Sequence, residues 1–361
     1  MSEWECAELR AGLAAGICLL AVSLLLFLPP AGGGTTSTGR VIRVRGTIQT
    51  IAIDGPRLVY DRFVPAANCN KLFVFDLVGG RSRAVSGCFS YISTTRYLGV
   101  AGRQIAWIDE AGDPSGYDRS LWVTSLTRRK PHRLATASCN GDLDTGGPCV
   151  GTWISSLVGS GSLLAVNRGA TNEHGDNMRS GLDEIGQRGL RRIVSGAKAT
   201  YAQAADSGRI AVLRANGTIG VYGGGGKFLL QVRPSSVADE QLDGDAIELR
   251  GHYLVVVTRT RRLEVYNSYS GARLHSWPVG KGATNLAADA GIAAYAASAG
   301  GAMPYKVHVV GLATGKDVVL GTGKWFTDQR DVVLGSAGLV YLRDRQTLVY
   351  IPLSRVLAAV S

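Results

Sequence analysis

The segment CNKLFVFDLVGGRSRAVSGC, residues 69–88, has the pattern of a short antiparallel hairpin held between two cysteines. Apolar residues alternate in its first half, a glycine pair follows, and a second, basic run leads to Cys88. With a four-residue loop at residues 77–80, Asp76 faces Arg81, and the same register places Cys69 opposite Cys88. Cross-strand Cβ atoms lie about 4.5–5.5 Å apart, so this register predicts a Cys69–Cys88 disulfide.

A second cysteine pair, Cys139 and Cys149, encloses the loop CNGDLDTGGPC in the same way. Two local pairs favour an oxidising compartment, with two pairs of unrelated buried thiols as the alternative. Zinc is disfavoured because neither pair has the short CxxC spacing. Asn140, Asp142 and Asp144 have the alternate spacing of calcium ligands, but the EF-hand glycine and glutamate are missing, so we predict a polar turn.

The N-terminal region carries a targeting signal. Residues 11–28, AGLAAGICLLAVSLLLFL, contain no charge and fall between a signal-peptide core and a membrane span of about 20 residues. We expect residues 1–31 to be a signal peptide or a single membrane anchor and residues 32–40 to be a flexible linker. Basic residues after the apolar core favour an orientation with the C-terminal part of the chain on the cytoplasmic side of the membrane. The cysteines argue against that orientation, so we predict an extracytoplasmic domain, attached to the membrane through residues 11–28 if these are not cleaved.

The composition allows a large folded domain with a basic surface. The chain has 361 residues, 45% of them hydrophobic, and a net charge of +11. Such a charge favours polyanions, including acidic polymers of a cell envelope. Arginine is nevertheless spread without a long run and no nucleic-acid reader module accompanies it, so we expect no nucleic-acid partner.

Beyond residue 40 short apolar runs recur, separated by Gly, Asn, Asp and Ser. They form seven units that start near residues 47, 92, 150, 199, 237, 283 and 325, with spacings from 38 to 58 residues. Four-stranded propeller blades repeat at about 40–50 residues. The predicted fold over residues 41–361 is therefore all-β, a β-propeller of seven four-stranded blades.

Closing the ring requires a fourth strand for the seventh blade. Two segments compete for that position: RVIRVRG at residues 40–46 and RVLAAV at residues 355–360. We favour the N-terminal segment, which would join the two ends of the chain.

The repeats resemble those of known propellers. LFVFDLVGGRSRAVSG (72–87) and LWVTSLTRRKPHRLAT (121–136) resemble outer hairpins of the WD40-like repeats in TolB-type propellers. LEVYNSYSGARLHSW (263–277) is similar to a blade of quinoprotein or YVTN-type propellers. The resemblance spans roughly residues 47–355 and implies an architecture, because propellers host many unrelated activities.

No motif assigns a catalytic, cofactor-binding or metal-binding residue. GTGKW (321–325) lacks the Ser or Thr of a phosphate-binding loop, GGGG (223–226) is placed as a hairpin turn, and GxSxG is absent. The histidines are scattered among blades, and three of them lie in outer hairpins, where we predict structural roles: His132, His275 and His308. The sequence does not specify a cofactor.

The longest irregular stretch, RGATNEHGDNMRSG (168–181), is the candidate binding loop, with a tolerated insertion as the alternative. The residues proposed to bind are Asn172, Glu173, His174, Asp176 and Asn177. ASAGGAMPY (297–305) occupies the equivalent connection of the sixth unit.

These features favour a non-catalytic binding or scaffolding module of the cell envelope, with a protein, peptide or envelope polymer as partner. The alternative is an enzyme that uses the axial channel, either a metal-dependent lyase or lactonase or a quinone-dependent dehydrogenase. A weaker alternative is a sensor ectodomain that binds acidic envelope polymers.

Overall fold

Antiparallel sheets of four strands repeat around a closed ring. The computed structural model describes residues 39–361 except 90–93, 114–115, 141–149, 175, 177, 187–188, 197–199, 215, 237–245, 299–303 and 325–329. The predicted all-β fold and its seven blades are confirmed.

The first strand, β1 (Arg40–Arg43), belongs to the last blade, and the first three blades follow it in chain order. Blade 1 contains β2 (Thr47–Asp54), β3 (Arg57–Val64), β4 (Cys69–Asp76) and β5 (Ser82–Ala84). Blade 2 contains β6 (Thr94–Ala101), β7 (Gln104–Asp113), β8 (Gly116–Ser125) and β9 (Arg128–Asn140). Blade 3 contains β10 (Val150–Ser160), β11 (Leu163–Thr171), β12 (Gly181–Gly186) and β13 (Gly189–Ser195).

The remaining four blades follow in chain order. Blade 4 contains β14 (Thr200–Asp206), β15 (Arg209–Arg214), β16 (Ile219–Tyr222) and β17 (Phe228–Val232). Blade 5 contains β18 (Ile247–Arg250), β19 (Tyr253–Val257), β20 (Arg262–Asn267) and β21 (Arg273–Pro278). Blade 6 contains β22 (Ala283–Asp289), β23 (Ile292–Ala297), β24 (Tyr305–Gly311) and β25 (Asp317–Gly323). Blade 7 contains β26 (Val332–Gly335), β27 (Gly338–Asp344), β28 (Thr347–Pro352) and β1.

The described residues also contain short helical segments: two 3₁₀ turns, Pro65–Ala67 and Gly224–Gly226, and the C-terminal helix α1 (Leu353–Val360). The second 3₁₀ turn lies between β16 and β17, so the glycine run is the hairpin connection that the sequence predicts. In the part of the chain described here, which begins at residue 39, no helix is long and apolar enough to cross a bilayer. The predicted anchor at residues 11–28 lies outside the described residues.

Because successive strands are antiparallel, the ring has two distinct faces. The turn face carries the connections between the first and second strands and between the third and fourth strands of each blade. The loop face carries the connections between the second and third strands and between blades. The candidate loop at 172–180 and the equivalent connection after β23 therefore both lie on the loop face.

The hydrophobic core consists of seven apolar clusters, one between each pair of neighbouring blades. In β3, Leu58 and Tyr60 pack against blade 7, whereas Val59 between them packs against blade 2. A strand buried on both faces requires a continuous apolar run, which explains the LVY-type triplets of the sequence. Each blade thus buries its faces only by stacking on its neighbours.

Strand β1 closes the ring by pairing with β28, from Arg40 opposite Tyr350 to Arg43 opposite Thr347. The N-terminal latch is therefore confirmed. The competing segment, RVLAAV, forms α1 instead of a strand, and its buried Val356 and Val360 cover the junction of blades 6 and 7. Since β1 already occupies the edge of β28, the C-terminal segment has no strand to pair with.

The predicted register of the first outer hairpin is confirmed, since Phe73 pairs with Ala84 and Phe75 with Ser82. Cys69 and Cys88 form a disulfide with Cα atoms 5.5 Å apart. Cys139 is buried and also disulfide-bonded, while its predicted partner Cys149 lies outside the described residues.

One feature of the sheets was not predicted from the sequence. Blades 2 and 3 form a single eight-stranded sheet, because the end of β9 pairs with the start of β10. The pairs are Asn140 with Val150 and Cys139 with Gly151, at the loop face. Strand β9 has 13 residues and β10 has 11, so both extend far enough to meet.

Candidate functional site

The axial channel is narrow in its middle. Small residues of the innermost strands, including Gly99, Gly159 and Ala204, surround a space of about 30 Å³. A Cβ atom on Gly159 would lie 2.5 Å from Leu164 Cδ2 and 2.9 Å from the Val100 carbonyl oxygen, so the close approach of strands there requires glycine. Toward the loop face, Glu248 Oε1 lies 3.6 Å from Arg330 Nη2.

The channel widens at the turn face into a cavity of about 640 Å³. Its wall is formed by the turns between the first and second strands of several blades. We call this cavity the axial cup, and its principal polar side chains are Asp54, Ser160, Asp206, Arg250, His252 and Asp289.

Two of the cup aspartates connect neighbouring turns. Asp54 Oδ2 accepts a hydrogen bond of 2.7 Å from the backbone N–H of Gly102, and its Oδ1 accepts one of 3.2 Å from Gly161. Asp206 Oδ2 accepts hydrogen bonds from the backbone N–H of Gly251 at 2.9 Å and from Arg209 Nη2 at 3.0 Å. These carboxylates therefore hold the turns of different blades together.

Arg250 and Asp289 have unused hydrogen-bonding capacity. The Arg250 guanidinium donates to Ser160 Oγ and lies 3.9 Å from Asp206 Oδ1, but its buried Nε has no partner. Asp289 Oδ1 accepts the backbone N–H of Ala290 at 2.8 Å, and no described residue donates to its Oδ2. Burial raises the pKa of the Asp289 carboxyl; Arg250 and the Ala290 N–H oppose this rise, and the Asp206 carboxylate adds to it.

The raised pKa of Asp289 predicts a pH-dependent effect of Asp289→Asn on stability. A carboxyl whose pKa is raised by folding destabilises the folded protein at neutral pH, and this penalty disappears as the pH falls through the folded-state pKa. We expect Asp289→Asn to raise the free energy of unfolding by about 0.5 kcal/mol at pH 7, since solvent in the open cup reduces the effect. Urea denaturation at neutral pH and at about pH 4 measures the difference in free energy of unfolding between the variant and the parent protein. We expect this difference to vanish at the acid pH.

Asp76 provides a matched control of opposite sign. It too lies in a turn, but the backbone N–H groups of Gly79 and Val78 hold the pKa of its carboxyl below the usual range. Asp76→Asn should therefore destabilise the protein at neutral pH, with a difference that shrinks on acidification. Equal pH profiles for the two variants would contradict the proposed cause.

The histidines do not converge at the axis within the described structure. His252 lines the cup, whereas the three histidines of the outer hairpins lie on other strands. His308 Nδ1 lies 2.9 Å from Asp317 Oδ1, His275 stacks on Trp277 with ring centroids 5.4 Å apart, and His132 is exposed. Across the described ranges, no group of three His, Cys, Asp or Glu side chains is arranged to hold a metal ion.

Within the candidate binding loop between β11 and β12, the Asn172 side chain binds the backbone. Asn172 Oδ1 accepts the backbone N–H groups of His174 and Asp176, at 3.0 and 2.8 Å. Because the Asn172 side chain is used inside the loop, the exposed side chains among the predicted residues are Glu173, His174 and Asp176. Asn177 lies outside the described residues.

The loop stands beside an extended part of the sheet at the loop face, which we call the ridge and define as residues 108–113, 116–121, 135–140, 150–155 and 167–171. Inside it, Arg119 Nη1 donates to the Ile154 carbonyl at 2.8 Å and its Nε lies 2.5 Å from Glu110 Oε2. These contacts join β7, β8 and β10. The ridge is therefore held by side chains as well as by strand pairing.

A buried carboxylate, that of Asp183 in β12, binds two arginines. Asp183 is fully buried and receives hydrogen bonds from Arg168 and Arg192, whose side chains are each about one-third exposed. Arg192 Nη1 also donates to the carbonyl oxygen of Ser180, the last residue of the loop, at 3.1 Å. The ridge and loop thus present both signs of charge.

The sequence predicted the loop and missed the axial cup. Asp54, Asp206 and Asp289 each follow an apolar strand, in IAIDG, AADSG and AADAG. Each segment alone has the pattern of an ordinary turn. The signal that could have found the cup is the recurrence of aspartate at the same position of units one, four and six.

Comparisons with known proteins show the fold. No protein-family model and no curated protein sequence matches the chain. A solved chain of the Mitotic Checkpoint Complex is similar in structure, with a TM-score of 0.53 and 10% identity over 90% of this chain and 97% of that chain. A solved prolyl endopeptidase has a TM-score of 0.50 and 12% identity over 84% of this chain, which corresponds to 46% of that longer chain. At such low identity the likeness concerns architecture alone: the chain folds as a β-propeller.

Proposed function

We propose that this protein is a non-catalytic binding module outside the cytoplasm that holds a protein partner against the ridge and the loop at residues 172–180. The observation that carries the proposal is the eight-stranded sheet of blades 2 and 3, which extends one sector of the loop face. A symmetric propeller needs no such extension to close its ring. An ordered projection on a rigid scaffold is a common place for partner contacts.

The disulfide Cys69–Cys88 supports the proposed location outside the cytoplasm. Structural disulfides persist in oxidising surroundings and are rare in the cytosol. The exposed side chains of the loop, with arginines nearby, supply polar groups of both signs, which suit the rim of a protein interface. The proposal includes export of the protein and either cleavage of residues 1–31 or their retention as a membrane anchor.

Site-specific photo-crosslinking in the native host tests the proposal. A photoreactive residue replaces His174 in the loop or, as control, Val78, which is 77% exposed at the turn face. We expect one protein species to be captured reproducibly from position 174 and not from position 78. The triple variant E173A/H174A/D176A, with the photoreactive residue moved to Met178, should lower the yield about tenfold. Capture of the same species from both positions, or of none from position 174, would overturn the proposal.

A further inference from the structure

We propose that the axial cup binds a neutral saccharide, whose hydroxyl groups pair with Asp289 and Arg250 and whose ring packs on Tyr269. This site lies at the turn face, so the inference does not depend on a partner at the ridge.

The first argument is the unused hydrogen-bonding capacity at the base of the cup. Asp289 Oδ2 is an acceptor to which no described residue donates, and the Arg250 side chain, which lines the same cavity, is 19% exposed. Both side chains stand at the ends of neighbouring first strands, β18 and β22. A ligand hydroxyl both donates and accepts, so adjacent hydroxyls of a sugar can satisfy both groups.

The second argument is the local charge. The chain carries a net charge of +11, but the cup wall holds three carboxylates against one guanidinium. Asp206 is neutralised by Arg209 at 3.0 Å, which leaves Asp54 and Asp289 facing Arg250. This balance disfavours the anionic ligands that the overall charge attracts. The serine hydroxyls of Ser160, Ser207 and Ser336 complete a wall suited to an uncharged polar molecule.

The third argument is an aromatic surface at the edge of the cup. Tyr269, in the turn after β20, is 61% exposed, and its ring centroid lies 5.1 Å from that of the cup residue His252. The Arg209 guanidinium lies over one face of the Tyr269 ring, 4.3 Å from the centroid, so the opposite face is the one proposed to contact the ligand. The apolar C–H face of a pyranose packs well on such an exposed ring. This packing would give the exposed tyrosine beside the polar cavity a role in ligand binding.

The size of the cup agrees with this ligand class. Small-molecule sites typically occupy about 300–1,000 Å³, and the cup has about 640 Å³. The narrow channel behind it, about 30 Å³, stops a ligand from passing through the ring. The cup is therefore a dead-end site for a mono- or disaccharide, or for the end of a longer glycan.

The test is a screen of the full folded domain against an array of neutral mono- and oligosaccharides, followed by calorimetry with the strongest binder. Asp289→Asn keeps the acceptor for Ala290 and weakens the pairing at Oδ2, so we expect about a tenfold loss of affinity. Tyr269→Ala should lower affinity about threefold to tenfold. The matched controls are Asp76→Asn, a turn aspartate of blade 1, and Phe228→Ala, an exposed aromatic residue of blade 4, and both should bind as the parent protein does.

Three results would overturn the inference. The first is no saturable binding of any neutral saccharide. The second is binding that neither Asp289→Asn nor Tyr269→Ala weakens, which places the sugar elsewhere. The third is binding only of spermidine or Ca²⁺, lost in Asp289→Asn, which makes the cup a cation site. Circular dichroism and urea denaturation of each variant separate lost binding from lost folding, and the outcome leaves the crosslinking test at the ridge unaffected.

Discussion

Ile42→Asp is expected to lower the free energy of unfolding by about 4 kcal/mol or more, because it places a carboxylate in the cluster that closes the ring. Ile42 is 8% exposed and packs between blades 7 and 1. The variant loses the apolar contacts of Ile42 and must bury or expel a charge. Expulsion releases β1 from β28 and exposes a strand edge, which is prone to pair with another chain. Urea denaturation measures the loss, and sedimentation velocity detects the association.

The adjacent residue provides the control. Val41 lies on the same strand, is 44% exposed and points away from the cluster. Val41→Asp keeps the backbone pairing with Val349 and adds the same charge in solvent, so its effect should stay within about 0.5 kcal/mol. Equal destabilisation by the two variants would show that strand propensity or added charge matters, and not the closure of the ring by Ile42.

The parts of the fold that were predictable from the sequence depend on local patterns. The register of the hairpin from Phe73 to Ala84 followed from a turn and an alternating pattern within one blade. The blade count followed from repetition of that pattern. The latch could be placed because a propeller needs one further strand and only two segments were available. The C-terminal segment became α1 because its apolar residues, including Val356 and Val360, fit a helix face on blades 6 and 7.

The features that could not be predicted depend on contacts between distant residues. The pairing of Cys139 with Gly151 joins two blades across a polar excursion whose sequence has the pattern of a loop. The axial cup gathers Asp54, Asp206 and Asp289 from three blades, and only closure of the ring brings them near one another. Blade patterns determine how each sheet folds. They do not report which turn residues face the axis, because that depends on the stagger of all seven blades.

Replacement of both Cys69 and Cys88 by alanine is expected to cost about 3 kcal/mol of stability. The disulfide joins residues 19 apart in sequence and restricts the unfolded chain, so its loss stabilises the unfolded state. It also ties down the outermost strand of blade 1, since β5 has only three residues. Denaturant unfolding of the oxidised parent and the double variant measures the difference, and unchanged far-ultraviolet circular dichroism checks that the fold persists.

A reductant provides the second half of this test. Mild reduction that opens Cys69–Cys88 and leaves the disulfide of Cys139 intact, both verified by mass spectrometry, should move the parent protein to the stability of the double variant and leave the double variant nearly unchanged. The protein would then lose about 3 kcal/mol wherever thiols are kept reduced, a large share of the 5–15 kcal/mol of a typical domain. That dependence would tie the working form of the propeller to an oxidising compartment. If the parent and the double variant unfold at the same denaturant concentration, the disulfide does not stabilise the fold, and the argument for an extracytoplasmic location loses its physical basis.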